Sequence, residues 1–230
     1  MKLLLALKEK YNILSKFMTE EKSLVDSCVD SASATVNQQN QVVVASLVEE
    51  NVEDDIFLND TWNLYFHDPY DTNWNNSSYV RLTSICSVDD FWKTHLSLKN
   101  NLHKGMFFIM RDGIFPAWDS TQNINGGCLS IKVLKEHMAD FWEDLIIKML
   151  GETLIKEAYR SNWSSVNGIS TSPKKNFCII KIWVKDNKIS NKELLNVLPK
   201  YHGDIIYKSN LECITNENLA RTTAIPTIKV

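Results

Sequence analysis

The stretch WSSVNGISTSPKKNFCIIKIWV, residues 163–184, decides the fold. Two runs, WSSVNGISTS and FCIIKIWV, carry the β-branched and aromatic residues that suit a pleated surface, and the PKKN between them has turn composition. So short a link pairs strands antiparallel. Downstream, SNKELLNVL (190–198) reads as a short helix with a capping box at Ser190 and Glu193, and GDIIYKS (203–209) as a last strand. Upstream, KEHMADFWEDLIIKMLG (135–151) is the clearest helix. Met138, Phe141, Trp142, Leu145, Ile146 and Met149 share one stripe, and Gly151 ends it. GGCLSIKV (126–133) and GMFFIMR (105–111) read as strands before it. SVDDFWKTHLSL (87–98) reads as a helix with Ser87 as N-cap and Asp90 at N3, and TWNLYFH (61–67) and SSYVRLTSIC (77–86) as the first strands. Strands pair locally and helices come only at intervals. The expectation is an α+β domain, one antiparallel sheet with about three helices on one face and loops at the rim of the other.

The 230 residues suffice for one well-buried core. The organisation expected is a mobile arm over 1–53 opening on a short amphipathic helix (Leu4, Leu7, Tyr11, Leu14, Met18), a folded unit over 54–215, and a loose tail over 216–230. MKLLLAL resembles the start of a signal peptide, but KEK cuts its apolar run short, and no segment nears the ~20 apolar residues that span a bilayer. The cysteines at 28, 86, 128, 178 and 213 contain no CxxC pair and with five His form no zinc set; free thiols of a cytoplasmic protein are expected. A net charge of -3 argues against coating long nucleic acid, which takes many Lys/Arg–phosphate contacts, but not against gripping one nucleotide.

Tryptophan carries the functional signal. Trp62 alternates with Leu64 and Phe66, and Trp142 lies on its helix stripe, so both read as core. Trp92 shares a face with Val88 and packs inward or faces a partner; Ile147 and Leu150, off the main stripe, leave the same choice open. Trp74 (DTNWNNSSYVRL) and Trp118 (RDGIFPAWDSTQNINGG) sit among loop formers. They are half-buried anchors or a platform on which bases stack. Asp119 beside Trp118 only accepts hydrogen bonds, which suits the N1 and N2 donors of guanine and not the N1 acceptor of adenine. Lys174, Lys175 and Lys181 supply cations for phosphate, or are solvated. No nucleophile–base set, Gly-rich phosphate loop or metal set emerges, so a binding protein without cofactor is expected, not an enzyme.

Taken in order, WNLYFHDP, WN, SVDDFW, DGIFPAWD, NGG and VNGISTSPKKNFCIIKIW resemble the eukaryotic translation initiation factor 4E family, over about residues 57–208. The resemblance implies a curved sheet with helices on its convex back and a slot for the 7-methylguanosine cap of messenger RNA. Trp74 and Trp118 match its stacking indoles, Asp119 its guanine-reading carboxylate, Trp183 its N7-methyl contact and Lys174 a phosphate-binding Arg, with Lys175 beside it. Val88, Trp92, Ile147 and Gly151 match the back surface that receives a Tyr-x-x-x-x-Leu-hydrophobic helix of scaffold factor 4G or of competing repressors, flanked here by Glu143 and Asp144. This tips Trp92 and Ile147 towards exposure. A monomer is implied.

The chain departs from that pattern in five places. Asp119 stands for the usual Glu, Cys128 for an Arg, and Ile179 for a phosphate-contacting Lys, so Lys181 or Lys175 must compensate. One residue is inserted between Trp74 and Trp92, and Ile56–Phe57 replace a His-Pro pair. The function implied is recruitment of capped messages to a translation initiation complex. Its rivals are a cap-binding repressor that engages no productive scaffold, a carbohydrate-binding module and, remotely, a cap-cleaving enzyme.

Overall fold

Strand β1, Phe57–His67, sets up a sheet with two unlike faces. Trp62 and Leu64 are buried on one side, while Asn63, Tyr65 and His67 alternate to the other. The computed structural model describes residues 55–197 and 203–223, with side chains to 216; the expected arm and its helix, Cys28, and the stretch around Pro226 lie outside them. Six further strands join β1: β2 (Tyr79–Ser87), β3 (Met106–Arg111), β4 (Gly127–Leu134), β5 (Val166–Pro173), β6 (Phe177–Val184) and β7 (Ile205–Ser209). They form one antiparallel sheet in the order β2-β1-β3-β5-β6-β4-β7. The pair around PKKN is the β5–β6 hairpin, Ile169 facing Ile182 and Pro173 facing Cys178.

Helices α1 (Val88–Leu98) and α2 (Met138–Leu150) cover one face and close the main core, which holds Trp62, Leu64, Phe91, Trp142, Ile131 and Ile180. The opposite face has a second, smaller cluster of Phe108, Met110, Cys128 and Trp183, with Tyr65, Tyr79, Met106, Ile114 and Trp118 packed against it. We call this the open face.

The capping box of α1 forms as the sequence suggests. Ser87 Oγ accepts from Asp90 N at 3.2 Å, and Asp90 Oδ2 accepts from Ser87 N at 3.1 Å and Cys86 N at 2.9 Å. Ser87→Ala removes one side of that exchange and is expected to cost about 1 kcal/mol. An unchanged urea midpoint would refute this.

Two local expectations fail. The described part of SNKELLNVL, 190–197, forms no α-helix: Asn191, not Ser190, caps a single 3-10 turn, Lys192–Leu194, by accepting from Glu193 N, while Ser190 ends the preceding turn. Seven or eight residues without a long apolar stripe stabilise little more than a turn. A third α-helix, α3 (Asn210–Thr223), runs through residues read as the end of the domain and the start of a tail. Its polar composition hid it, and its amino end is anchored, Asn210 N donating to Gly126 O at 2.9 Å. Gly151 does close α2, but the left-handed residue there is Glu152, φ 54°. Thr153 N bonds Lys148 O and Glu152 N bonds Met149 O, a Schellman closure that holds Glu152 in place.

Candidate functional site

The 112–126 loop between β3 and β4 carries Trp118, and buried asparagines build it. Asn63 on β1 donates to Asp112 Oδ1 at 2.7 Å, pinning the loop where it leaves the sheet. Asn123, fully buried, donates to the carbonyls of Phe115 and Ala117, both at 2.9 Å, so one amide fixes the backbone just before Trp118. Asn167 on β5 donates to Asn123 Oδ1 at 2.8 Å, and Asn210 of α3 to Asn123 O at 2.7 Å. The loop is thereby stapled to β5 and to the start of α3.

The 68–78 loop between β1 and β2 carries Trp74, and His67 organises it. The His67 ring lies within hydrogen-bond distance of two backbone carbonyls, Asp68 O at 2.8 Å and Asn73 O at 3.0 Å, one at each end of the turn. Its face stacks on the Trp74 indole, centroids 4.2 Å apart and planes 7° from parallel. With one face on His67, Trp74 remains 52% exposed.

Tyr79, the first residue of β2, joins the two loops. Its ring lies 6.3 Å from Trp74 and meets Phe115 of the other loop edge-on at 5.1 Å. Burial first, then the Asp119 carboxylate, push its hydroxyl up to about 12, so it stays protonated and can donate. Asp119 itself is exposed, and Trp118 is half-buried on the open-face cluster.

Four cap-site candidates, Trp74, Trp118, Asp119 and Lys181, thus surround one end of the open face. Lys181 Nζ rests 4.7 Å over the Trp118 ring. Of the two lysines the sequence offered in place of the family's phosphate Lys, Lys181 is the one that meets the Trp118 loop. Lys174 and Lys175 are exposed at the β5–β6 hairpin end, several residues along β6 from Lys181. Trp183 lies beneath the site, 2% exposed, its Nε1 donating to Ser170 Oγ at 2.8 Å. It is a floor of the cluster here, not an open surface, because an indole whose N–H is satisfied inside packs well buried. Cys128 is buried with its thiol pushed up to about 12, chiefly by burial, so it provides no substitute for the charge of an Arg.

The expected exposure on the helix side is corrected. Val88, Trp92 and Ile147 are 1%, 0% and 7% exposed, and Gly151 is buried. Val88, Phe91, Trp92 and His95 recur at helical spacing on one buried face of α1, with Trp92 4.7 Å from the Phe91 ring and edge-on to His95 at 5.8 Å. On α2 the apolar stripe is simply wider than the first six residues, taking in Ile147 and Leu150. Glu143 and Asp144 are half-buried and already engaged, Glu143 with His95 Nε2 at 2.9 Å and Asp144 with Lys148 Nζ at 2.6 Å.

Sequence reading missed His67, Tyr79, Phe115 and Asn123. Strand alternation could have placed His67 and Tyr79 on the open face, since they pair directly across β1 and β2. Nothing local marks Asn123 among its neighbouring loop residues. Among the described residues no group of His, Cys, Asp and Glu could hold a metal ion, and no helix is long and apolar enough to cross a membrane.

Comparison with known proteins gives the family and the fold. Zebrafish (Danio rerio) eukaryotic translation initiation factor 4E-1A is 26% identical over 201 residues, covering 78% of this chain and 90% of the relative. A homolog of the factor from Acanthamoeba polyphaga mimivirus is 40% identical over 74 residues, 32% of this chain and about a quarter (26%) of that longer protein. A solved complex of C. elegans eIF4E-3 with the 4E-binding protein Mextli and cap analog covers 76% of this chain and 88% of its own, with a TM-score of 0.50 and 16% identity, a likeness of fold. The family model described as Eukaryotic initiation factor 4E matches residues 57–222, from the first residue of β1 almost to the end of α3. The chain belongs to the eukaryotic initiation factor 4E family.

Proposed function

We propose that this chain binds the 7-methylguanosine 5′ cap of messenger RNA and brings capped messages to translation initiation in the cytoplasm, as a monomer. The observation that carries the reading is the meeting of both indole loops at Tyr79, with Asp119 and Lys181 beside them. Methylation at N7 makes guanine cationic, and an indole face is electron-rich, so stacking gains a cation–π contribution that unmethylated guanine lacks.

Lys181 is the internal stand-in for that ligand. Its ammonium lies over the Trp118 ring as the cationic face of a methylated purine would, and a Lys181 displaced from there would be available to the phosphates that follow. Asp119 accepts from the guanine edge, and Lys174 and Lys175 give longer-range attraction from the hairpin. Trp183 supports Trp118 from below and reaches the methyl group only if the cluster opens. A 4G-type scaffold or a competing repressor peptide would meet the helix side between α1 and α2 at Glu143 and Asp144, and gripping Val88, Trp92, Ile147 and Gly151 requires uncovering them. No covalent step is involved.

A desolvated cation–π contact reaches about 2 kcal/mol, more than tenfold in affinity. Titration followed by tryptophan fluorescence should therefore show 7-methyl-GTP binding at least about tenfold tighter than GTP. Equal affinities, or tighter binding of oligosaccharides, would overturn the proposal.

A further inference from the structure

We infer that the open face continues past the cap site into a binding surface for the single-stranded RNA that follows the cap, formed by Lys181, Lys132 and Lys208. The inference rests on the cap-binding reading, since Lys181 is shared between the two.

The register places the three lysines. On β4 the residues facing away from the core are Cys128, Ser130, Lys132 and Leu134, because Leu129, Ile131 and Val133 belong to the main core. Ser130 pairs with Lys181 of β6, and Lys132 with Ile179, so Lys132 is the diagonal neighbour of Lys181, roughly 7–8 Å away between Cα atoms. Lys208 of β7 pairs with Cys128 and therefore stands on the same face, two strands from Lys181 or about 10 Å across the sheet. Both Lys132 and Lys208 are exposed. From Lys181 at the Trp118 ring, Lys132 lies toward the β5–β6 hairpin and Lys208 toward the opposite end of the strands, so the three span a patch that reaches the β7 edge of the sheet.

Charge and apolar surface both point to nucleic acid. Strands β4, β6 and β7 contain no Asp or Glu, although the chain carries a net charge of -3. The open face of these three strands thus carries positive charge alone, with Asp204 and Glu212 exposed only beside β7, and such a surface suits an anionic partner. Flat or apolar groups border the lysines: Phe177 and Leu134, paired with each other just past Lys132, the Phe177 ring carrying Lys132 Nζ at 4.4 Å and Leu134 49% exposed, and Ile206, paired with Ser130 and 54% exposed. A patch that sets cations beside an aromatic ring and exposed aliphatic side chains suits a strand that carries both phosphates and bases. An acidic peptide would match the lysines but would leave the ring without a flat counterpart. The family's usual phosphate Lys is Ile179 here, and Lys132 and Lys208 lie one strand and two strands further out.

The test compares 7-methyl-GTP, a capped pentanucleotide and the same pentanucleotide uncapped, on the parent chain and on Lys132→Glu/Lys208→Glu. The parent should bind the capped oligomer at least about tenfold tighter than 7-methyl-GTP at low salt, where phosphate contacts dominate. The double variant should lose that gain, while its affinity for 7-methyl-GTP, whose triphosphate reaches Lys181 and no further along the surface, should fall by clearly less; retained 7-methyl-GTP binding also reports an intact fold. Lys132→Gln/Lys208→Gln should flatten the salt dependence by about 1.4 in slope, about 0.7 for each phosphate contact to a single strand. Identical oligomer affinity in parent and variants overturns the inference, as does a matching loss for 7-methyl-GTP. If the parent fails to bind 7-methyl-GTP, the cap reading falls instead, and the uncapped oligomer decides: lysine-dependent binding keeps the surface and its absence removes it. A preference for a glutamate-rich peptide over uncapped RNA would replace the partner and overturn the inference.

Discussion

Trp118→Ala is expected to lower affinity for 7-methyl-GTP at least a hundredfold while leaving the fold intact. The stack it removes is worth roughly 1–3 kcal/mol, and the cation–π contribution about 2 kcal/mol more. Together these give a factor of about a hundred or more, since each 1.4 kcal/mol is tenfold. The fold survives because Trp118 caps the smaller cluster from outside and the main core lies on the other side of the sheet. Lys181 loses the ring beneath its ammonium as well, so the phosphate end of the site is freed along with the base end. Trp74→Ala should cost less. The His67 ring lies parallel beneath the indole and remains as a flat surface once the indole is gone. Calorimetric titration of both variants measures the difference. A change of less than threefold for Trp118→Ala would mean that a different ring receives the ligand.

The fold was legible because its elements announce themselves by period. Among the described residues, seven strands and two of three α-helices follow from alternation, stripe and cap, and the Ser87–Asp90 box forms as written. Trp62 and Trp142 were readable as core for the same reason, since each repeats with apolar neighbours at the period of its element. Helix α3 was not, because what fixes its amino end is a backbone bond to Gly126, more than eighty residues away in sequence. The helix side misled for a related reason. Position within a motif implied that Trp92 and Ile147 face a partner, whereas their spacing alone left the question open, and burial depends on everything packed around them. At the site, side-chain types were visible and their supports were not. Asn123 looks like any loop asparagine, yet its single amide holds two carbonyls beside Trp118. His67 looks like the end of a strand, yet it closes the Trp74 turn. Long-range hydrogen bonds of this kind leave no periodic trace.

Gly126→Ala should be among the most damaging single changes in the domain, and the reason is distance. A Cβ at Gly126 would lie 1.8 Å from the carbonyl oxygen of Val184 and 2.6 Å from the carbonyl carbon of Lys185, both backbone atoms that cannot rotate away. Strand β4 must then move off β6 at its first pair, Gly127 with Val184. That shift would also strain the bonds that Gly126 makes with Asn123 O and Asn210 N, both 2.9 Å, which tie the Trp118 loop to α3. Overpacking alone costs typically 1–3 kcal/mol, and broken buried hydrogen bonds add roughly 1 kcal/mol or more each. A loss of about 3–5 kcal/mol follows, a large part of the 5–15 kcal/mol that holds a typical domain. Gly113, on the same loop, gives the contrast. A Cβ there meets nothing within 4 Å, and only its φ of 77° opposes a side chain, so Gly113→Ala should cost about 1 kcal/mol. Urea unfolding of the two variants separates close packing from backbone conformation. If Gly126→Ala proved as stable as Gly113→Ala, the tight approach of β4 to β6 could not be what holds the Trp118 loop in place.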